Sequence, residues 1–302
     1  MLFGPRPTRS LAAAALAVAL AATIAGCGSD GGGSDDSGST GAGSSNGASD
    51  SAAAPAVTAL DVTTGSVTGG TTVTLTGTGL DAVTAVSFGE NPGTLVSAEA
   101  ETLTVTTPAA ANFVTGPAAV TLTDAKGAAV ASTISYNYDV VTPVDAQMSY
   151  VLAHWQERNE AEYGSYGDND CVNFTSQSLI ARGWEQNAEW NHKAGSDGTH
   201  SYSSAWLSST SMMKYFTARP ELATALTDDQ RDQVVIGDIV QFDWDNSGDR
   251  DHTGIVSRIE GTGADRVIYF AGHSLDSDYR SVDTAVTTDH PGGTAYYWHL
   301  EA

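Results

Sequence analysis

Threonine and hydrophobic residues alternate along residues 55–139 with the period of two that is typical of a strand with one buried face. The clearest runs are TVTLT at residues 72–76 and TLTVT at residues 102–106, and glycines separate the runs at short intervals. Short strands with frequent turns are typical of two packed sheets. The pattern therefore predicts that residues 55–139 form a small all-β sandwich.

The pattern changes in residues 143–302, where longer segments without glycine or proline precede short hydrophobic runs. It predicts helices and then strands, at residues 147–163, 171–182 and 221–233 and at residues 238–244, 252–260, 266–274 and 294–300. Residues 183–211 are rich in aromatic residues and predict a long loop. Helices followed by an antiparallel sheet describe an α+β domain. The sequence thus predicts a multidomain chain whose second domain is large enough for its own core.

The first residues have the composition of an export signal. Residues 1–27 carry a short basic segment and then an apolar run that is too short to favour a membrane-spanning helix. The end of that run, IAGC, resembles the lipobox of bacterial lipoproteins, which implies a lipid on Cys27 and an anchor at the outer face of the bacterial cell membrane. An ordinary secretory signal is the alternative. Residues 28–54, mostly Gly, Ser, Ala and Asp, predict a disordered linker.

The acidity of the chain restricts its partners. The formal net charge is −23 at pH 7, and loss of the two signal arginines, Arg6 and Arg9, makes it −25. Nucleic acids and anionic lipid surfaces bind clustered lysine and arginine, so this charge argues against both. Calcium or a cationic component of the cell wall is compatible with it, and so is a simple contribution to solubility. The oligomeric state is not predicted.

Cys171 is the only cysteine besides Cys27, so the chain without its signal has no partner for a disulfide. Asp168, Asn169 and Asp170 precede it as helix N-cap types, and Gly183 is a typical residue after a helix. A thiol at a helix start is stabilised as thiolate by free N–H groups and the helix dipole. Asp168 and Asp170 oppose this effect, so a basic partner is required. The alternative is a small buried apolar residue.

Two histidines are candidates for that partner. His252 begins one predicted strand and His273 ends the next. If the strands form a hairpin centred between Thr262 and Gly263, the two histidines lie opposite each other, roughly 5 Å apart at Cβ. One imidazole then takes the thiol proton and the other orients it, as in a catalytic triad. The alternative for each is an ordinary surface histidine.

Sequence motifs extend these assignments by resemblance. The series TALDVTTGSVTGGTTVTLTGTGL, VTAVSFG, LTVTTPA and SYNY, within residues 55–139, resembles the immunoglobulin-like IPT/TIG family of spacer and binding domains. The series DCVNFTSQSL, GDIVQFDWD, DHTGIVSRI and AGHS resembles the bacterial family named Putative amidase domain, in the papain-like superfamily with the NlpC-type and CHAP enzymes. This second resemblance implies a papain-like α+β fold over residues 143–302.

The same resemblance implies roles for three residues. It makes Cys171 the nucleophile, His252 the base and His273 the third polar residue, a position at which related enzymes use Asn, Asp, Glu or His. The sequence departs from the family at Ser178, where a second cysteine or small residue is frequent, and at Arg182 with its following glycine, where Gly-Gly is frequent. Neither departure affects the proposed chemistry.

Two clusters raise the question of a metal. Four acidic residues of the segment DWDNSGDRD have the spacing of calcium-loop ligands: Asp243, Asp245, Asp249 and Asp251. Position twelve of such a loop is Gly254 instead of a bidentate glutamate, so a solvated acidic turn is favoured over a calcium site. His192 and His200 with Asp197 suggest zinc, but the segment between them is typical of a mobile loop.

These observations predict a surface-anchored cysteine amidase or peptidase that hydrolyses amide bonds, with cell-wall peptides or proteins as substrate and no cofactor. Two alternatives remain open. One is a non-catalytic cell-surface binding or adhesion protein, and the other is a metal-dependent hydrolase built on the remaining histidines. The residues do not indicate which amide bond is cleaved.

Overall fold

The computed structural model describes residues 54–301. The predicted export signal, the lipid site Cys27 and nearly all of the predicted linker lie outside these described residues. Within residues 54–301, no helix combines the length and the apolar composition needed to cross a membrane.

Residues 55–139 fold into the β-sandwich that the alternating pattern predicts. The strands are, in chain order, β1 (Ala56–Leu60), β2 (Thr64–Ser66), β3 (Thr72–Thr78), β4 (Val83–Phe88), β5 (Asn91–Pro92), β6 (Thr94–Ala98), β7 (Thr102–Thr106), β8 (Gly116–Asp124), β9 (Ala129–Val130) and β10 (Ser135–Asp139). One sheet has the order β1-β3-β7-β6, and the other has the order β2-β10-β8-β4-β5 with β9 beside β8. Leu75 and Leu103 of the first sheet and Phe88 and Tyr136 of the second are fully buried in the core.

The following residues form the α+β domain. Its helices are α1 (Pro143–His154), α2 (Glu160–Tyr163), α3 (Cys171–Ala181), α4 (Ser204–Leu207), α5 (Ser209–Thr217) and α6 (Val282–Thr284). Its strands are β11 (His192–Ala194), β12 (His200–Tyr202), β13 (Ala223–Thr227), β14 (Ile239–Asp243), β15 (His252–Glu260), β16 (Val267–Gly272), β17 (Ser277–Ser281) and β18 (Thr294–Leu300). The main sheet has the order β13-β18-β14-β15-β16-β17 and is antiparallel throughout.

Short single turns complete the secondary structure. The 3₁₀ turns are Leu80–Ala82, Ala111–Phe113, Gly167–Asn169, Asp228–Gln230 and Gly263–Asp265, and a π-helical turn is formed by Ala285–Asp289.

The structure corrects three of the predicted elements. The helix predicted at residues 221–233 is β13 followed by a 3₁₀ turn, because Ala223 and Leu226 are buried against β18 in the sheet. The predicted loop at residues 183–211 contains the hairpin β11–β12, α4 and the start of α5. The helix predicted at residues 147–163 begins earlier, at Pro143, where Thr142 caps it, and ends at His154.

The main sheet separates two hydrophobic cores, and this separation decides which side chains reach Cys171. Cross-strand partners share a face of a sheet, and neighbours along a strand alternate between faces. Ile239 and Ile255 are partners on the face that packs with Cys171 and α3. Phe242 and Phe270 belong to the other face, which packs against α6.

The sandwich and the α+β domain are joined by a buried carboxylate. Asp145, in the first turn of α1, is fully buried, and its Oδ1 accepts hydrogen bonds from Ser66 Oγ (2.6 Å), Thr68 Oγ1 (2.6 Å) and the Thr68 N–H (2.9 Å) in the sandwich. Its Oδ2 accepts from the N–H groups of Val141 (3.0 Å) and Thr142 (2.9 Å). One side chain therefore ties the sandwich to the start of the second domain.

Candidate active site

Cys171 is the first residue of α3, which confirms the predicted helix start. The side chain is only 5% exposed, in the core between α3 and the main sheet. Its Sγ lies 3.9 Å from the Ser209 hydroxyl, and the backbone N–H groups of Thr253 and Val172 act to lower its pKa. The thiol is therefore buried among polar donors and is not enclosed by apolar atoms alone.

Burial nevertheless dominates the acidity of this thiol. Removal from water raises the pKa of Cys171 above its ordinary value of 9.0, and the charge of Asp170 raises it further. The Ser209 hydroxyl and the backbone N–H groups of Thr253 and Val172 lower the pKa but do not compensate. The expectation of a thiol with a lowered pKa is therefore wrong for the structure as it stands, because a sequence does not reveal how deeply one side chain is buried.

His252 lies on the sheet face opposite the thiol. It pairs with Phe242 across β14, whereas its neighbour Thr253 pairs with Gln241 and faces α5. The imidazole lies 5.9 Å from the ring of Phe242 and 6.1 Å from that of Trp244, measured between centroids. Its Nε2 is buried without a hydrogen-bond partner among residues 54–301.

This environment keeps His252 uncharged at neutral pH. Burial lowers the pKa of His252 to about 4, and the nearby Arg280 and His290 act in the same direction. A neutral imidazole with a free ring nitrogen has a lone pair that can accept a proton. No hydrogen bond joins it to Cys171 in the part of the chain that the structure describes.

His273 does not contact His252, so the predicted hairpin register is wrong. Ile255 pairs with Ala271, one residue out of the predicted register, and on the turn side of a bulge between Val256 and Arg258 the pairing of Arg258 with Tyr269 is two residues out. Bulges of this kind insert one unpaired residue and cannot be read from strand boundaries alone. The shift leaves His252 and His273 out of register.

The ring of His273 instead supports the start of α3. It stacks on Phe174 with 3.9 Å between ring centroids. Its Nδ1 lies 2.5 Å from Asp170 Oδ2, and its Nε2 lies 2.9 Å from the backbone carbonyl oxygen of His154. Both ring nitrogens of His273 are therefore engaged by neighbouring oxygen atoms.

Asp170 is a residue whose role the sequence reasoning missed. It was expected to cap α3, but its carboxylate makes no capping bond. It accepts instead from the Tyr166 N–H (3.1 Å) and the Asn173 side-chain amide (3.0 Å), in addition to its bond with His273. Its position directly before the cysteine was the only signal in the sequence. Ser209 was also missed, because it lies in the segment predicted as a loop.

The acidic turn brings its four carboxylates together. One oxygen each of Asp243, Asp245, Asp249 and Asp251 lies within 4.8 Å of the others, and within residues 54–301 this is the one group of three or more acidic, histidine or cysteine side chains spaced for a metal ion. Asp243 is buried and accepts from the N–H groups of Ser247 (3.0 Å) and Gly248 (2.9 Å). These two hydrogen bonds hold the turn closed, so they support the interpretation as an acidic turn as well as that as a calcium site.

The residues considered for zinc are only partly brought together. His192 Nε2 lies 3.1 Å from His200 Nδ1 across the hairpin β11–β12, so this segment is ordered into strands. Asp197 at the hairpin tip accepts from the Thr199 hydroxyl (2.7 Å). The three side chains therefore form no group spaced for a metal ion in the described part of the chain.

Two family models match this chain, one over the sandwich and the other over the α+β domain. The model of the IPT/TIG domain matches residues 55–139, and the model of the family described as Putative amidase domain matches residues 141–297. Among solved structures, the full extracellular region of plexin A4 is 27% identical, covers 28% of this chain and 8% of that chain, and has a TM-score of 0.25.

Two curated proteins of Bacillus subtilis (strain 168) are similar in sequence. Uncharacterized protein YjcM is 27% identical over 158 residues, and Uncharacterized protein YhbB is 30% identical over 125 residues. The matches cover 50% and 40% of this chain but 35% and 38% of the relatives, so the chain spans little more than a third of their length. The amidase-domain match, by contrast, covers more than half of the chain at residues 141–297. The chain therefore belongs to the Putative amidase domain family.

Proposed function

We propose that this chain is a cysteine amidase or peptidase of papain-like fold, with Cys171 as nucleophile. The observation that carries the proposal is the placement of the thiol at the start of α3 with its sulfur 3.9 Å from the Ser209 hydroxyl, and the Thr253 and Val172 N–H groups also act to lower its pKa. A cysteine that only fills a core has no need of such donors. A thiolate requires them, because buried charge is stable only when it is hydrogen-bonded.

The reaction begins with transfer of the thiol proton to a base. His252 is our candidate, because its imidazole is neutral and its Nε2 is free, whereas both nitrogens of His273 are engaged. For this step the start of β15 must rearrange so that the His252 ring leaves the site beside Phe242 and Trp244 and reaches the α3 face, because a rotamer change alone does not carry a side chain through a sheet. We propose that substrate binding favours this backbone rearrangement.

The remaining steps follow from the chemistry of thiol acylation. The Cys171 sulfur attacks the amide carbonyl, and the Cys171 backbone N–H helps to bind the oxyanion of the tetrahedral intermediate. The imidazolium of His252 then protonates the leaving amine, the C–N bond breaks, and a thioester remains on Cys171. Water, deprotonated by the same imidazole, releases the carboxylic acid and restores the thiol. His273 supports this cycle indirectly, through Asp170 at the start of α3.

The expected substrate is an amide in cell-wall peptides or wall proteins. This part of the proposal rests on the sequence, because an anchor at Cys27 would hold the enzyme near an immobile polymer, and both Cys27 and the linker lie outside the described residues. The cell-wall polymer itself is therefore the substrate to test first, by incubation with the full-length protein and mass spectrometry of new amino termini.

Recognition without hydrolysis is a second candidate function. The observation that favours it is the resting arrangement, in which the thiol is 5% exposed and no hydrogen bond links it to His252 within residues 54–301. Binding to the polymer without new amino termini would support recognition alone. Loss of hydrolysis on chelation and not on alkylation would indicate the metal-dependent alternative.

The reactivity of the thiol gives a direct test of its environment. Because burial raises the pKa of Cys171, alkylation by iodoacetamide in the folded protein should be slow at pH 7 and should rise with a midpoint above 9.0. The measurement is the rate of mass increase across a pH series, with the unfolded protein as reference. A midpoint below that of the unfolded chain would contradict the pKa direction and restore the sequence-based expectation.

The two histidines should differ in their effect on turnover. We expect His252→Ala to lower kcat/KM by about 10²- to 10⁴-fold, the range typical of a lost general base. His273→Ala should cost less activity but should also lower the melting temperature, because it leaves the carboxylate of Asp170 buried without its imidazole partner. His299→Ala, at the far end of the sheet beside Asp238, is the matched control. A larger activity loss in His273→Ala than in His252→Ala would make His273 the base.

A further inference from the structure

A chain of buried polar side chains runs through the main sheet and ends at the Cys171 sulfur. It connects Trp298 on β18, Gln241 on β14, Thr253 on β15 and Ser209 at the start of α5. Gln241 and Thr253 are fully buried, and Ser209 is 6% exposed. Buried polar groups cost free energy unless they are hydrogen-bonded. Each of these groups therefore needs a hydrogen-bond partner, and the bonds run in one direction along the series.

The direction of the hydrogen bonds is fixed by two groups, one of which can only donate and the other of which can only accept. The Trp298 indole N–H can only donate, and it lies 2.8 Å from Gln241 Oε1. The backbone carbonyl of Ser209 can only accept, and it lies 2.9 Å from Gln241 Nε2. Together these two contacts fix the orientation of the Gln241 amide. Its second N–H then donates to Thr253 Oγ1, at 3.1 Å.

The hydroxyls continue the same direction. Thr253 Oγ1 accepts from Gln241, so its own proton is free for Ser209 Oγ at 3.0 Å. Ser209 Oγ accepts that proton, so its own proton is free for the Cys171 sulfur at 3.9 Å. A thiolate can only accept hydrogen bonds, so its formation leaves every hydrogen bond in this series of side chains satisfied. Aligned hydrogen bonds polarise one another and strengthen the last donor.

We propose that the side chains of Trp298, Gln241, Thr253 and Ser209 form a donor relay that stabilises the thiolate of Cys171, with Ser209 contacting the sulfur and the other three positioning it. The proposal deepens the proposed function, on which it rests. The relay supplies an uncharged source of stabilisation at a sulfur that His252 does not contact in the resting state. The relay also acts against the negative charge of Asp170, which raises the pKa of the thiol.

The relay has a feature that distinguishes it from ordinary core packing. Its effect on the sulfur depends on protons and not on volume, so a substitution that keeps shape but removes a hydroxyl should change thiol reactivity. Thr253→Val is such a substitution. Ser209→Ala removes the final donor itself. Ser211→Ala, on the same helix α5 and partly buried, is the matched control, since no relay bond involves Ser211.

The experiment measures iodoacetamide alkylation of the full-length variants across a pH series. We expect Ser209→Ala to move the midpoint upward by about 0.5 to 1, so that alkylation below the midpoint slows about three- to tenfold, as expected for one net hydrogen bond. Thr253→Val should shift the midpoint in the same direction by less, because Ser209 still donates but without a polarising donor behind it. Ser211→Ala should match the unsubstituted protein.

The outcomes separate this relay from the proposed function. An unchanged midpoint in either Ser209→Ala or Thr253→Val, with circular dichroism that shows an intact fold, overturns the relay. If one of the two variants does not fold, the other decides. Shifted midpoints together with an absence of amide hydrolysis in the unsubstituted protein support the relay and overturn the amidase proposal.

Discussion

Replacing Cys171 with alanine should abolish amide hydrolysis, with a loss of at least about a thousandfold in kcat. The expectation follows from the chemistry, because without the sulfur no thioester forms, and loss of a covalent nucleophile removes most of the rate enhancement in such enzymes. The measurement is the rate at which new amino termini appear in purified cell-wall polymer incubated with the full-length protein.

Two variants make the Cys171 result interpretable. Cys171→Ser keeps the size and hydrogen bonds of the side chain but has a far less acidic nucleophile, so it should fold normally and be similarly inactive. Ser178→Ala, in the same helix but directed at the Thr175 carbonyl, should retain activity. Hydrolysis that survives in both Cys171 variants would mean that the nucleophile lies elsewhere or that a metal ion activates water.

Replacing Asp145 with alanine should produce the largest loss of stability. It removes the acceptor of five hydrogen bonds and leaves the N–H groups of Thr68, Val141 and Thr142 without that partner. A buried polar group left unpaired costs about 1 to 3 kcal/mol. We therefore expect a decrease of roughly 3 to 5 kcal/mol in the free energy of unfolding, measured by urea denaturation.

The dependence of this effect on pH follows from the ionisation of Asp145. Burial raises the pKa of Asp145, but the hydrogen bonds from Ser66 and Thr68 outweigh it, so the folded-state pKa lies below the ordinary 3.8. The carboxylate therefore stabilises the fold fully above pH 3.8, and this contribution is lost as the pH falls through the lower folded-state value. The difference between wild type and Asp145→Asn should shrink in the same range.

A control variant distinguishes the loss of the buried Asp145 hydrogen bonds from a general effect of removing one negative charge. Asp139 lies six residues before Asp145 and is exposed. Its carboxylate accepts a hydrogen bond from the Val140 N–H. Asp139→Ala should change the free energy of unfolding by no more than about 0.5 kcal/mol, as for most surface positions. Equal losses in the two variants would show that Asp145 does not act through its buried bonds.

Much of the architecture could be predicted because it depends on local patterns. The alternation in residues 72–76 and 102–106 places both segments in paired strands of the sandwich, β3 and β7. The start of α3 at Cys171 also follows from local signals. The segment of residues 221–233 was assigned wrongly because its strand exists only by pairing with β18, which lies about 70 residues away in the chain.

The site was less predictable, because it depends on which face of the sheet each side chain occupies. A one-residue change of register moves a side chain to the opposite face. The pairing of Ile255 with Ala271 is one residue out of the predicted register, and His273 contacts Asp170 and not His252. The donors around Cys171 come from three separate elements, and the contribution of Ser209 depends on a helix that begins inside a predicted loop.

The burial of Cys171 has a further consequence for the lifetime of the protein. Oxidation to sulfenic and sulfinic acids proceeds through exposed thiolate, and this thiol is 5% exposed with a raised pKa. If the chain works outside the cell, as we propose, no cytoplasmic reductant repairs a damaged cysteine there. A sulfur that is protonated and shielded between turnovers would then survive peroxide that inactivates an open cysteine enzyme, and bound substrate would itself occupy the thiol during the interval in which it is reactive.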